Sequence, residues 1–172
     1  MLMTSDPTDN IASHSFRSAF IGYFIAKELK ADADKVLKMC LLHDIEEVRT
    51  GDHNWVHRRY VKIFDDEVRA QQLNNFAGAE ELIKISDEYA ERKTMEAKIA
   101  KDADLLDEIF LLREYARQGN KEAEFWLEPG DKDGNQQIKH MSTDLAKQIA
   151  KEAKKQNPNV WWFNLWTPNK RK

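Results

Sequence analysis

The hydrophobic positions along the chain recur with helical spacing, and no strongly alternating stretch typical of a strand interrupts them. Proline stands only at positions 7, 129, 158 and 168, so nothing forbids helix between residues 8 and 128. The pattern predicts six helices, at about 11–29, 32–50, 61–75, 80–92, 95–117 and 142–156. Turn-forming residues at 130–137 predict a loop or small hairpin. We therefore expect the all-α fold class, with 1–172 forming a single compact domain.

Three apolar stripes predict which helix faces are buried. In the first predicted helix, Phe16, Phe20 and Phe24 repeat every four residues, and we expect this row to pack inward. The fifth is apolar at Ile99, Leu106, Ile109 and Phe110. The second carries a stripe of Val36, Leu37, Cys40, Leu41 and Val48. It should end at Gly51, because glycine adopts a left-handed conformation without steric cost.

Ionisable residues interrupt these apolar faces. On a continuous helix His43 and Glu47 share the buried face, and Asp44 lies about 100° away at its edge. A histidine and aspartate in sequence are also compatible with an ordinary hydrogen-bonded core histidine. However, buried charges need partners or a metal ion. His14 in the first helix and an aspartate in the fifth, Asp102 or Asp104, could complete a metal site between packed helices.

Such a site would combine two imidazoles with two carboxylates. This ligand set suits Mn²⁺, Co²⁺, Fe²⁺ or Zn²⁺ and leaves positions open for water or substrate. Helical spacing alone does not choose between Asp102 and Asp104.

Composition limits the environment and the partners. The net charge of −3 gives no general attraction for a nucleic acid polymer, so any phosphate recognition must be local. The single cysteine excludes an internal disulfide and suits a reducing compartment. No apolar run approaches the roughly 20 residues needed to cross a bilayer, and the first ten residues do not read as a signal peptide. We expect a cytoplasmic protein without membrane contact.

The stretch "HDIEEVRTGD" resembles the HD-domain metal-dependent phosphohydrolases, and within them the 5′-deoxynucleotidase (YfbR-like) branch. That branch typically carries H-D-x-x-E-x-x-T-G-D, matched here by His43, Asp44, Glu47, Thr50, Gly51 and Asp52. The segments "NIASHS" and "AKDADLL" are similar to its other two metal-binding segments. The resemblance covers about 10–115. The C-terminal helix and Trp-rich tail, about 142–172, add nothing to it.

The resemblance implies a site and an activity. One divalent ion (Mn, Co, Fe or Zn, with Mg possible) would be held by His14, His43, Asp44 and Asp104, the last in preference to Asp102. Glu47 would orient or deprotonate the attacking water, and Asp52 would assist the leaving 5′-oxygen or position the substrate. The expected enzyme is a metal-dependent phosphomonoester hydrolase that releases phosphate from (deoxy)nucleoside 5′-monophosphates, and homodimers are usual in the branch.

Phosphate recognition is less well defined by the sequence. Arg17 and Lys101 are candidate phosphate contacts, as is Arg49, although charge on a helix surface is commonly just solvated. Members of the branch usually carry an arginine and a tryptophan before the first histidine, where this chain has Met1 to Met3. Either the start is truncated or the substrate is held differently.

Two further functions remain alternatives. One is another HD-type nucleotide phosphohydrolase, acting on cyclic or tetraphosphate nucleotides. Relatives of the tetraphosphate type usually show Glu-Asp after the HD pair, where this chain has Glu46 and Glu47. The other is a non-catalytic nucleotide-binding module that keeps the fold.

Three other features predict less. His53 and His57 favour a loop at the rim of the site. A calcium-loop-like stretch beginning at Asp131 is rejected, because Gln136 and Ser142 stand where glycine and glutamate are needed. Tryptophans in the tail, Trp161, Trp162 and Trp166, are expected to dock onto the core or a partner subunit rather than to stack on bases.

Overall fold

The computed structural model describes residues 10–128, 136–162 and 165, and all regular structure in these ranges is helical. This confirms the all-α prediction. The described elements are α1 (Ile11–Glu28), α2 (Ala33–Leu42), α3 (Glu47–Thr50), α4 (Trp55–Tyr60), α5 (Asp65–Leu73), α6 (Ala79–Glu91), α7 (Met95–Arg117), α8 (Lys121–Leu127), α9 (Gln136–His140), α10 (Asp144–Lys155) and a 3₁₀ turn (Val160–Trp162). Most of the predicted loop at 130–137, the start of the rejected calcium-like stretch and Trp166 lie outside the described residues.

The core forms where α1, α2 and α7 meet. Ile99, Leu106 and Ile109 of α7 are fully buried, as predicted. Gly22 brings α1 close to both partners, since a Cβ atom there would lie 2.9 Å from Val36 Cγ1 and 3.0 Å from Cys40 Sγ. The three helices that carry the predicted metal ligands are therefore packed directly against each other.

The prediction that the phenylalanine row of α1 packs inward is wrong. Phe16, Phe20 and Phe24 are 61%, 51% and 65% exposed. The buried face consists of smaller side chains, namely Ser15, Ser18, Ala19, Gly22, Ile25 and Ala26. Small residues allow the close approach of α1 to α2 and α7, which three phenyl rings on that face would prevent.

The second helix is shorter than the stripe predicted, because α2 ends at Leu42. The chain then continues through tight turns, with Ile45 N donating to Leu42 O at 3.1 Å and Val48 N donating to Ile45 O at 3.3 Å. This change of helical twist turns Val48 toward solvent. Leu41, still within α2, lies on the exposed face of that helix, so two positions of the predicted stripe are exposed.

Gly51 ends the short α3, as predicted. It has a φ of 78° and a ψ of 150°, a conformation that favours glycine. From here the chain leaves the helical path and leads into α4.

The other helices agree unevenly with the predictions. The predictions for α6, α7 and α10 were accurate to within about two residues, whereas the helix predicted at 61–75 begins only at Asp65 and a separate α4 precedes it. Helices α8 and α9 were not predicted. Trp161 is 74% exposed and does not dock onto the core, whereas Trp162 is 40% exposed; docking onto a partner subunit stays a prediction. Within the described residues, no helix is both long and apolar enough to cross a membrane.

Candidate metal centre and active site

Two histidines from different helices bring their Nε2 atoms together. His14 lies in the first turn of α1, whose start is capped by the Asn10 side chain accepting from Ser13 N at 3.0 Å. His43 follows the last residue of α2, and its Nδ1 donates to Cys40 O at 2.8 Å. The two Nε2 atoms are 3.1 Å apart.

Two carboxylates face the same point. Asp44 Oδ2 lies 3.1 Å from His43 Nε2 and 3.5 Å from His14 Nε2. Asp104 Oδ1 lies 3.2 Å from His14 Nε2 and 3.7 Å from His43 Nε2. Ligand atoms of His14, His43 and Asp104 all lie within 4.8 Å of one another, which makes this group a possible metal site.

The structure shows which of the two aspartates, Asp102 or Asp104, lies at the histidines, a choice that helical spacing left open. Asp104 belongs to the cluster, whereas Asp102 faces the opposite side of α7 and is fully buried. Asp102 accepts hydrogen bonds from Ser142 N at 2.7 Å and from Thr143 N and Oγ1 at 2.8 and 2.6 Å. Asp102 therefore fastens the start of α10 to α7.

The hydrogen bonds of the imidazoles fit a bound cation. His43 Nδ1 must carry a proton, because its partner is a carbonyl oxygen. His14 Nδ1 likewise donates to a carboxylate oxygen, Asp107 Oδ2, at 2.8 Å. In the neutral rings both Nε2 atoms then present lone pairs to each other at 3.1 Å, which repel unless a proton or a cation lies between them. The donor set of two nitrogens and two carboxylates suits a divalent metal ion.

Charge in the metal-free cluster favours retention of protons on the histidines. Burial acts to lower the pKa of His14, but hydrogen bonds to Asp104 and Asp107 outweigh it and raise that pKa to about 9. In His43 burial is likewise outweighed, by hydrogen bonds to Asp104 and Asp44, and the pKa rises to about 10. Burial would raise the pKa of Asp104, yet the two imidazoles hold it well below its usual value. The cluster thus has the negative charge that stabilises a cation.

Glu47 and Asp52 lie beside this cluster. Both line the same cavity as the four predicted ligands, and the Glu47 side chain is only 12% exposed. Burial, together with the nearby carboxylates of Asp44 and Asp52, raises the pKa of Glu47 to about 8. Arg58 Nη2 donates to Glu47 Oε1 at 3.2 Å. The tight turns after α2, rather than a continuous helix, bring Glu47 here.

The cavity in front of the cluster has a volume of about 960 Å³. Carboxylates outnumber cations in its lining, but four cationic side chains, Arg58, Arg69, Arg92 and Lys101, also line it, together with His53 near the motif. Lys101 Nζ donates to Asp104 Oδ2 at 2.5 Å, so this candidate phosphate contact does lie at the cluster. The volume is within the range of small-molecule sites.

Arg17, another candidate phosphate contact, is placed differently. Its guanidinium binds Asp107 through two hydrogen bonds, from Nε to Oδ1 at 2.7 Å and from Nη2 to Oδ2 at 2.9 Å. Arg17 lines an outer groove of about 430 Å³ beside Phe16 and Phe20, and it does not line the cavity in front of the cluster.

Sequence reasoning missed two residues at the cluster. Asp107 lies three positions after Asp104, and Arg17 lies three positions after His14. This equal spacing on two packed helices could have indicated that Arg17 contacts Asp107. Tyr89 of α6 packs edge-on against His43, with ring centroids 5.6 Å apart. No motif marks Tyr89, because its position depends on how α6 packs.

Comparisons with known proteins agree with the fold and the cluster. The model of an HD domain family matches residues 1–151, so the chain belongs to the HD-domain family, a class that binds divalent metals. A curated relative, 5′-deoxynucleotidase HDDC2 from Dictyostelium discoideum, is 28% identical over 122 residues. The match covers 64% of this chain and 64% of that protein, so the chain spans less than two thirds of the relative.

Two solved structures have the same fold. The PH0347 protein from Pyrococcus horikoshii OT3 superimposes with a TM-score of 0.68 at 28% identity, over 87% of this chain and 85% of that chain. A conserved hypothetical protein from Pyrococcus furiosus gives a TM-score of 0.67 at 24% identity, over 88% of this chain and 86% of that chain.

Proposed function

We propose that the protein is a metal-dependent phosphohydrolase that releases inorganic phosphate from (deoxy)nucleoside 5′-monophosphates. The observation that carries the proposal is the convergence of two imidazole Nε2 atoms and two carboxylates beside Glu47, in a cavity of small-molecule size. The similarity to a 5′-deoxynucleotidase supports the substrate class.

In this proposal His14, His43, Asp44 and Asp104 hold one divalent ion, with Mn²⁺, Co²⁺, Fe²⁺ and Zn²⁺ compatible with the donors and Mg²⁺ a further candidate. When bound, the ion would supply Lewis acidity, which favours ionisation of water and offsets charge on the phosphate. The Nδ1 hydrogen bonds of both imidazoles support this assignment, because they leave Nε2 as the ligand atom.

Two carboxylates outside the ligand set would act as the proton acceptor and as the group that assists the leaving oxygen or positions the substrate. Glu47 would accept a proton from the attacking water, and its pKa, raised to about 8, makes its carboxylate a stronger base than an ordinary one. Asp52, on the same cavity wall, would position the substrate or assist the leaving 5′-oxygen. Lys101 is better supported than Arg17 as a phosphate contact, because its ammonium group reaches the cluster.

The deciding experiment measures phosphate release by the purified, metal-loaded protein. Deoxynucleoside 5′-monophosphates should be the preferred substrates, and 3′-monophosphates should react poorly because their phosphorus lies elsewhere relative to the sugar. Equal rates on 3′- and 5′-monophosphates, or activity on triphosphates only, would exclude the proposal. Activity confined to cyclic or tetraphosphate nucleotides would favour another HD phosphohydrolase. Nucleotide binding without phosphate release would indicate a non-catalytic module.

We also propose that the protein is a cytoplasmic homodimer. The buried free thiol of Cys40 supports a reducing compartment. The exposed row of Phe16, Phe20 and Phe24 supports a dimer, because soluble monomers rarely expose contiguous aromatic rows. An antiparallel pair of α1 helices related by a twofold axis would place Phe20 against its own copy and Phe16 against the partner's Phe24.

A further inference from the structure

A buried carboxylate connects His14 to an arginine, and both of these groups lie outside the proposed ligand set. His14 Nδ1 donates to Asp107 Oδ2 at 2.8 Å, and Arg17 binds both oxygens of the same carboxylate. The Asp107 side chain is only 1% exposed and lies one turn beyond Asp104 on α7. We infer that Asp107, held by Arg17, is a positioning residue that fixes the Nδ1–H form of His14 and so directs the Nε2 lone pair to the metal ion.

The geometry leaves the Asp107 carboxylate no freedom to turn. A buried carboxylate is unfavourable without a compensating charge, which Arg17 supplies. The planar guanidinium binds through two parallel hydrogen bonds and therefore fixes the plane of the carboxylate as well as its charge. Asp107 Oδ2 then faces His14 as an acceptor only, and an acceptor selects the ring form with hydrogen on Nδ1.

The two imidazoles are oriented by different means. His43 Nδ1 donates to the main-chain oxygen of Cys40, which no side-chain substitution removes. His14 relies on side chains alone, so its orientation can be changed while that of His43 stays fixed. The inference rests on the metal site proposed above but not on the substrate, and metal affinity therefore tests it without any measurement of phosphate release.

The test uses Asp107→Asn and the dissociation constant for Co²⁺, measured by competition with a chelator. An amide presents its NH₂ group to the guanidinium or to His14 whichever way it turns, so the three-way contact cannot be kept. We expect the Co²⁺ dissociation constant to rise about 10–100-fold, the usual effect of losing a group that orients a metal-binding histidine. The visible spectrum of the Co²⁺ form should change with it, because His14 no longer holds its position.

Asp102→Asn is the matched control, since Asp102 is an equally buried aspartate of α7 that contacts the start of α10 and not His14. It should lower thermal stability but leave the Co²⁺ dissociation constant unchanged. If both variants weaken Co²⁺ binding equally, the effect is general loosening of α7 and the inference is overturned. If the wild-type protein binds no Co²⁺, the proposed metal site itself is wrong. That result differs from a failure of the inference, in which the wild-type protein binds Co²⁺ and Asp107→Asn does not weaken the binding specifically.

Arg17 provides a second test should Asp107→Asn fail to fold. Its side chain is 36% exposed, so substitution creates no cavity in the core. Arg17→Gln removes the positive charge and the paired guanidinium hydrogen bonds. It should therefore weaken Co²⁺ binding more than Arg17→Lys, which keeps the charge. Co²⁺ affinities equal to wild type in both variants would contradict the inference.

Discussion

At the scale of single residues, Glu47 distinguishes a catalyst from a protein that only binds metal. Glu47→Gln keeps the size of the side chain but removes the base, so phosphate release should fall about 10²–10⁴-fold, equivalent to about 3–5 kcal/mol of barrier. Metal content, measured by elemental analysis, should stay unchanged. Glu80→Gln, at an exposed position in the first turn of α6, is the control and should retain full activity. Equal activity of the two variants would remove Glu47 from the mechanism.

The histidines give a second prediction at this scale, for the metal-free protein. The pKa values of His14 and His43 are raised to about 9 and about 10, so at pH 7 the pair holds at least one proton that an incoming ion must displace. Metal affinity should therefore rise with pH and level off above these values. Calorimetric titration at pH 7 in two buffers of different ionisation enthalpy should give different heats. Identical heats would mean that binding releases no proton.

At the scale of helices, Gly22 fixes the distance between α1 and its neighbours. In an open helix Gly→Ala stabilises by up to about 1 kcal/mol, but here the new methyl group would lie 2.9 Å from Val36 Cγ1. Val36 is fully buried and cannot move aside, so Gly22→Ala should instead destabilise by about 1–3 kcal/mol, as overpacking typically does. Denaturation by urea would measure this.

Ser18→Ala is the control on the same buried face of α1. Among the described residues the Ser18 hydroxyl has no hydrogen-bond partner, so its removal should not lower the free energy of unfolding. A stabilised Gly22→Ala variant would show that the three helices can separate without cost. The metal site would then not depend on this close packing.

At the scale of the whole molecule, the sequence predicted which ionisable residues lie together better than it predicted how the helices pack. The HD motif and two separate segments identified residues that the structure brings together, since histidine and aspartate are distinctive where a helix face is otherwise apolar. Periodicity found a stripe on α1 but could not tell which face meets the core, because small residues carry little hydrophobic signal. Asp107 and Arg17 are 90 positions apart, and only the packing of α1 on α7 joins them.

The exposed face of α1 gives the last prediction, on assembly. If Phe20 lies on the twofold axis of a homodimer, Phe20→Asp places two carboxylates against each other in an apolar contact and should yield monomers. Light scattering after size-exclusion chromatography would measure the mass. Phe125→Asp is the matched control, because Phe125 is a similarly exposed phenylalanine on α8. Monomers from Phe125→Asp but not from Phe20→Asp would locate the interface elsewhere, and a monomeric wild-type protein would exclude the dimer. Because neither Phe20 nor Phe125 lines the cavity in front of the cluster, metal content should stay the same in both variants.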